Sequence, residues 1–251
     1  MFMDVINGGC MNLLADMSWI EVQEYLEHDD RVIMPLGATE EHGTHLGLGT
    51  DFIEAEAIAR GAGEATGVMV APTLNYGMSL PLMDFPGTLS LRPATLMVVL
   101  EDLFNGLYTH GFRRILIVNG HGGNNASILS SVQTSAFTLK YLRFKLFQWW
   151  TDAETDQIVT KMMGEQEGSH ASAGETALML AIRPNAVKMN RLTDRDAPVL
   201  KSRELTTVQT FAHQYHDGIM GLDPHVATKE AGDALLKKSV EICVNELKTW
   251  E

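Results

Sequence analysis

Val32-Ile-Met-Pro-Leu36 runs straight into Gly37-Ala-Thr-Glu-Glu-His-Gly-Thr-His-Leu-Gly-Leu-Gly-Thr-Asp51. A short apolar run bounded by turn residues reads as a buried strand. The loop after it gathers Glu40, Glu41, His42, His45 and Asp51 between glycines. Carboxylate oxygens and imidazole nitrogens are the ligands that hold Zn, Mn or Fe. Glycine lets the backbone turn tightly enough for several of them to converge. A second apolar run, Ile115-Leu-Ile-Val118, delivers Asn119-Gly-His-Gly-Gly-Asn-Asn125, and a third segment, Gly168-Ser-His-Ala-Ser-Ala-Gly-Glu-Thr176, offers His170 and Glu175. In open α/β sheets, ligands collect beyond the carboxyl ends of the strands. These segments are therefore expected to meet in space.

The rest of the chain alternates in the same way. Ser18 precedes Trp19-Ile-Glu-Val-Gln-Glu-Tyr-Leu26, with Glu21 at the capping-box position of a helix. Asp51 is placed to cap a helix from 52 to about 61, its carboxylate near the helix N-terminus. Residues 68–71 read as another strand, and 76–88, with Gly77, Pro81, Pro86 and Gly87, as an irregular loop. Leu96, Val99, Leu100, Leu103 and Leu107 form the stripe of an amphipathic helix over 94–110, which Gly111 ends. Strand 115–118 and helix 125–140 follow, then a strand over 143–150 and helices over 174–182 and 229–247. Strands alternating with helices predict an α/β fold, a mainly parallel sheet in α/β/α layers. No Pro-, Gly- or Ser-rich linker, charge block or repeat divides it. One domain over 11–251 is expected, with residues 1–10 as an N-terminal extension.

Nineteen basic against 32 acidic residues give a net charge of −13. That disfavours nucleic acid, which needs a basic footprint, and anionic membrane surfaces. No apolar run approaches the roughly 20 residues of a membrane span. Two cysteines, Cys10 and Cys243, make no disulfide framework. The first residues lack a basic stretch followed by an apolar core, so no signal peptide is read and a cytoplasmic protein is expected. Asn-Gly-His-Gly-Gly-Asn could instead cradle a phosphate at a helix N-terminus, but it lacks the Lys and Ser/Thr of a P-loop. Of Trp149 and Trp150, adjacent on an expected strand, at most one can wall a pocket.

The motifs Gly37-Ala-Thr-Glu-Glu-His-Gly-Thr-His…Asp51, Phe85-Pro-Gly-Thr88, Asn119-Gly-His-Gly-Gly-Asn124 and His170…Glu175-Thr176 resemble those of the creatininase family, the creatinine amidohydrolases and their relatives. The weaker Gly221-Leu-Asp-Pro…Ala-Thr228 extends the resemblance over nearly the whole chain. It implies a creatininase-like layered α/β fold, commonly hexameric, and a centre of two divalent ions. Zinc is the first choice, with manganese or iron as alternatives. By resemblance Glu40 and His121 hold one ion and His42 the other, with Asp51 bridging. Such a bridge sets two cations about 3.5–4 Å apart, with a nucleophilic hydroxide between them.

One departure stands out. Creatininases proper follow the His of the third motif with an aromatic residue and a Glu that ligates the second ion; here those places are Gly122 and Gly123. Glu175 is the candidate replacement ligand, and His170 the candidate proton shuttle to the leaving nitrogen. Those two roles can also be drawn with Glu175 sharing the proton work. Glu41 and His45 read as supporting hydrogen-bonding residues. Gln166 replaces a tryptophan, and Leu82 a histidine, of creatininases proper, which disfavours creatinine itself. The implied activity is metal-dependent hydrolysis of a C–N bond in a small cyclic amide, a formamide or a short peptide. The alternatives are a non-catalytic metal-binding or assembly subunit and a metal-dependent phosphoesterase.

Overall fold

The computed structural model describes residues 12–165, 169–192 and 207–250. Residues 1–10, Cys10 among them, and Gln166 lie outside these. At the centre four strands pair in parallel, in the order β2-β1-β3-β4. They are β1 (Arg31–Leu36), β2 (Met69–Val70), β3 (Arg114–Asn119) and β4 (Arg143–Phe147). Every residue of β1 and β3 after the leading arginine is buried, as expected of strands with helices over both faces. Ile33, Leu116 and Val118 point into one layer, and Val32, Met34, Ile115 and Ile117 into the other. This is the two-residue alternation of a pleated strand.

The first layer holds α2 (Thr50–Thr66), α5 (Ala153–Met163), α6 (Ala173–Ile182) and α8 (Lys229–Lys248). The second holds α1 (Trp19–Leu26), α3 (Pro93–His110) and α4 (Asn125–Thr138). A short helix α7 (Val208–Gln214) and an antiparallel pair, β5 (Ser169–His170) with β6 (Met220–Gly221), complete the described chain. Because α2 leaves β1 toward one face and α4 leaves β3 toward the other, a crevice opens between the carboxyl ends of β1 and β3. That switch point is where doubly wound sheets bind their ligands.

The α/β/α reading holds, and so does the capping box of α1. Glu21 N–H reaches Ser18 Oγ at 3.4 Å and Ser18 N–H reaches Glu21 Oε2 at 2.7 Å. Two expectations are corrected. Gly49, not Asp51, is the cap of α2, which starts at Thr50 and is closed after Thr66 by Gly67, a left-handed residue with φ 73°. Asp51 sits in the first turn, where its carboxylate is taken by imidazoles rather than by backbone amides. The strand expected over 143–150 stops at Phe147, the last residue paired with β3. Gln148 then turns to Asn125, donating to its Oδ1 at 2.6 Å, and Trp149–Thr151 form a 3-10 turn.

Three hydrogen bonds and one close backbone approach fix the C-terminal helix. Arg31, Lys145 and Arg114 donate to the carbonyls of Leu247, Glu246 and Trp250 at 2.8, 2.8 and 2.7 Å. Cationic side chains from three neighbouring strands thus satisfy the end of α8 and offset its dipole. Against α6, Gly232 allows backbone contact: a Cβ there would lie 1.8 Å from the Ala177 carbonyl oxygen. Because the obstacle is backbone, Gly232→Ala is expected to destabilise the protein by about 3 kcal/mol or more. In a chain of this size that lowers Tm by about 6–12 °C, readable by thermal unfolding.

Candidate metal centre

The glycines of the two strand exits bring the site together. A Cβ on Gly120 would lie 2.0 Å from the Asp51 carbonyl oxygen, and one on Gly37 would lie 2.4 Å from the Phe52 nitrogen. Only residues without a side chain let the ends of β1 and β3 press against the first turn of α2. Asn119 and Asn124 staple the loops: Asn119 Nδ2 donates to the His121 carbonyl at 2.7 Å, and its Oδ1 accepts the His121 N–H at 3.1 Å. Asn124 Nδ2 donates to the Gly37 carbonyl at 3.0 Å, while its Oδ1 accepts the Met78 N–H at 3.0 Å.

All six expected residues converge in one buried cluster. Asp51 lies at its centre, with Oδ1 2.9 Å from His42 Nε2 and Oδ2 3.1 Å from His121 Nδ1. Glu40 Oε1 is 3.2 Å from His121 Nδ1, and Glu175 Oε1 is 3.8 Å from His42 Nε2. Two sets therefore share Asp51: Glu40, Asp51 and His121 on one side, His42, Asp51 and Glu175 on the other. A third grouping, Glu40, His42 and His170, overlaps both. Glu175 serves two ends, since its Oε2 also accepts the Ser172 N–H at 3.3 Å in a capping box for α6.

The hydrogen bonds on the far side of each ring decide which nitrogen faces inward. His121 Nε2 meets the Met78 carbonyl at 2.9 Å, and His42 Nδ1 meets the Glu40 carbonyl at 3.2 Å. A carbonyl only accepts, so those nitrogens carry the hydrogens and the others present lone pairs to the carboxylates. Glu40 Oε1 and Oε2, His42 Nε2 and Asp51 Oδ2 are buried with no hydrogen-bond partner among the described residues. Buried acceptors facing acceptors are unfavourable unless cations lie between them. The residues present thus fit divalent cations, and far-side carbonyls are the outer partners that metal-binding imidazoles use.

The electrostatics agree. Burial alone would lower the pKa of His42 and His121, yet both stand well above the ordinary imidazole value, raised chiefly by Asp51 for His42 and by Glu40 for His121. Burial would raise Asp51, but His42 and His121 hold it well below the usual carboxylate range. Glu175 is pushed up by burial, with His42 and His170 opposing. The cluster demands positive charge, and protons and metal ions compete for the same lone pairs.

Around the cluster lies a cavity of about 240 Å³, with Met78, Pro81, Leu82, Trp150, Phe211 and Met220 on its walls. Trp150 lines it while Trp149 is buried, and Trp149 Nε1 donates to Glu54 Oε2 at 3.0 Å. One tryptophan of the pair faces the pocket, although the turn differs from the expected strand. Ser79 Oγ is buried at the same wall without a partner among the described residues. His45 Nε2 donates to Thr176 Oγ1 at 2.8 Å, tying the first metal loop to α6. His170 lies on β5, ahead of Ala171, whose φ of 51° is left-handed, a conformation costing a non-glycine residue roughly 1–2 kcal/mol. Pairing with β6 and the Ala173 N–H to Leu222 carbonyl bond at 3.1 Å hold this bend. The Met78 carbonyl, Asn119, Asn124 and Glu54 were not anticipated. Only the asparagines had a signal, flanking the third motif.

Fold and cluster together define an α/β protein with a carboxylate–imidazole ion site at the switch point. The sequence profile of the creatininase family, described as creatinine amidohydrolase, matches residues 15–247. A creatinine amidohydrolase of Pseudomonas putida is 27% identical over 246 residues, covering 92% of each chain. A mycofactocin precursor peptide peptidase of Mycolicibacterium smegmatis is 30% identical over 228 residues, covering 88% of this chain and 85% of that one. A solved structure of a creatininase, the Mn form, superposes with a TM-score of 0.84 at 25% identity, over 95% of this chain and 98% of that one. The chain belongs to the creatininase family, and is accordingly a metal-dependent hydrolase.

Proposed function

We propose that this protein hydrolyses the C–N bond of a small neutral amide at a centre of two divalent ions. Glu40, Asp51 and His121 would hold one ion, and His42, Asp51 and Glu175 the other. The observation that carries this reading is the Asp51 carboxylate, whose two oxygens face different imidazoles at 2.9 and 3.1 Å. When bound, the ions supply Lewis acidity for the carbonyl and a water made nucleophilic near neutral pH. The chain's own groups do the rest. The apolar walls exclude bulk water and orient the amide. Ser79 Oγ offers a donor to a substrate acceptor. His170 Nδ1, 3.5 Å from Glu40 Oε1, carries a proton toward the leaving nitrogen.

Apolar walls over a carboxylate floor suit a neutral amide better than a phosphate dianion, so we rank phosphoester hydrolysis lower. An open cavity beside the ion site supports turnover over a purely structural role. The candidate substrates are a small cyclic amide, a formamide or the end of a short peptide; the similarity to a creatinine amidohydrolase and to a peptide peptidase supports that range. Zinc is the preferred ion. A homo-oligomer belongs to this reading only through the family resemblance. Among the described residues no helix is long and apolar enough to cross a membrane, and the low cysteine count supports a cytoplasmic site of action.

The test is metal content by elemental analysis on protein purified without chelator or affinity-tag metal. Close to two equivalents per chain are expected, followed by turnover on a panel of cyclic amides, formamides and dipeptides. No metal after reconstitution would sink the reading.

A further inference from the structure

Three imidazoles face the cluster, and each is held from behind. His121 and His42 are held by the backbone carbonyls of Met78 and Glu40. His170 is held by a carboxylate: its Nε2 lies 2.9 Å from Glu41 Oε1, both groups buried. Glu41 is itself fixed on several sides. Its Oε2 accepts the Gly43 N–H at 2.8 Å, and its own N–H donates to Thr88 Oγ1 at 3.0 Å. Behind it stands Gly218, where a Cβ would lie 2.0 Å from Glu41 Oε2. Phe211 meets the His170 ring edge-on at 5.7 Å between centroids.

We infer that Glu41 is the positioning residue for His170, fixing its tautomer and its aim. The inference rests on the reading of His170 as the proton carrier. A carboxylate only accepts, so the hydrogen of neutral His170 sits on Nε2 and the lone pair of Nδ1 faces the ion site. Without Glu41 the ring has no reason to keep that tautomer, and it is free to turn about its side-chain bond. The difference from the two ligand rings is meaningful. A ring that stays bound to an ion is held adequately by a neutral carbonyl. A ring that gains and loses a proton at Nδ1 must return each time to the same tautomer, which a buried carboxylate enforces at every turnover. Gly218 has a part in this, because a side chain there would push the carboxylate off the ring.

The test uses zinc-loaded protein with isotope-labelled histidine, in which long-range proton–nitrogen correlations report the tautomer of each ring, and His170→Ala assigns the signal. Wild type is expected to show His170 protonated at Nε2 alone. Glu41→Ala is expected to give a mixture or the reverse tautomer, with two metal equivalents retained. On the best substrate of the amide panel, kcat is expected to fall about 10–100-fold with KM little changed. Adding Glu41→Ala to His170→Ala is expected to cost nothing further, since residues acting as a unit are not additive. Glu41→Gln keeps one acceptor oxygen for two donors and serves if the alanine variant does not fold; an intermediate shift of tautomer is expected. An unchanged tautomer in the folded Glu41 variants, or a full additional loss in the double variant, would overturn the role of Glu41. If His170→Ala alone leaves turnover intact, the proton-carrier reading fails instead.

Discussion

Replacing Asp51 by alanine is expected to abolish tight binding of both ions, not one. Each of the two proposed ligand sets includes this carboxylate, whose Oδ1 faces His42 and Oδ2 faces His121. The loss of turnover is expected to exceed the roughly 10–100-fold that follows loss of an outer-shell partner. The metal-free protein should lose stability as well, because Asp51 is the buried partner of both His42 and His121 and removing one side of a buried pair leaves the other uncompensated. Elemental analysis of wild type and variant, each confirmed as folded by thermal unfolding, gives the answer: two retained equivalents in Asp51→Ala would refute the shared-ligand assignment. His121→Ala should chiefly weaken the ion shared with Glu40.

Restoring a glutamate at position 123 is expected to damage the site rather than complete it. The resemblance to creatininases implies a ligand glutamate at this place, so Gly123→Glu looks like a simple repair. In this backbone a Cβ at 123 would lie 2.3 Å from His121 Nε2 and 2.4 Å from the Met78 carbonyl oxygen. It would enter the hydrogen bond that fixes the His121 tautomer, 2.9 Å long. His121 would turn away, its ion would bind at least about 10-fold more weakly, and turnover would fall with it. Competition with a chelating dye measures the affinity. A Gly123→Glu variant with wild-type or tighter binding of both ions would show that the loop rearranges freely, and would remove the reason for giving the second ion to Glu175.

Much of this was legible along the chain. Val32–Leu36 and Ile115–Val118 announce buried strands because parallel strands covered on both faces need continuous apolar runs. Gly111 and Gly67 end helices for a local reason, the positive φ that glycine tolerates. Residue type and placement marked Glu40, Glu41, His42, His45, Asp51, His121, His170 and Glu175 as ligand-type residues, since ligand chemistry belongs to the side chain itself; the choice among them came from the family resemblance. Local signals failed where a long-range partner decided the outcome. Asp51 has the right type for a helix cap, but His42 and His121, brought up by other loops, claim its carboxylate. Residues 148–150 look like strand, yet pairing with β3 stops at Phe147 and Gln148 turns to Asn125 instead.

What the sequence alone determined is therefore the alternation of elements, the ligand types and the two strand exits that carry them. Only the tertiary structure decided which nitrogen of each imidazole faces inward, because the atoms holding the rings are the backbone carbonyls of Met78 and Glu40 and the carboxylate of Glu41. A carbonyl has no letter in a sequence, and the tautomer it imposes depends on a fold that brings Met78 to His121 across more than forty residues. The close approach of Gly120 to Asp51 is of the same kind: a glycine can be read in a loop, but the backbone it makes room for is known only once both strands are in place.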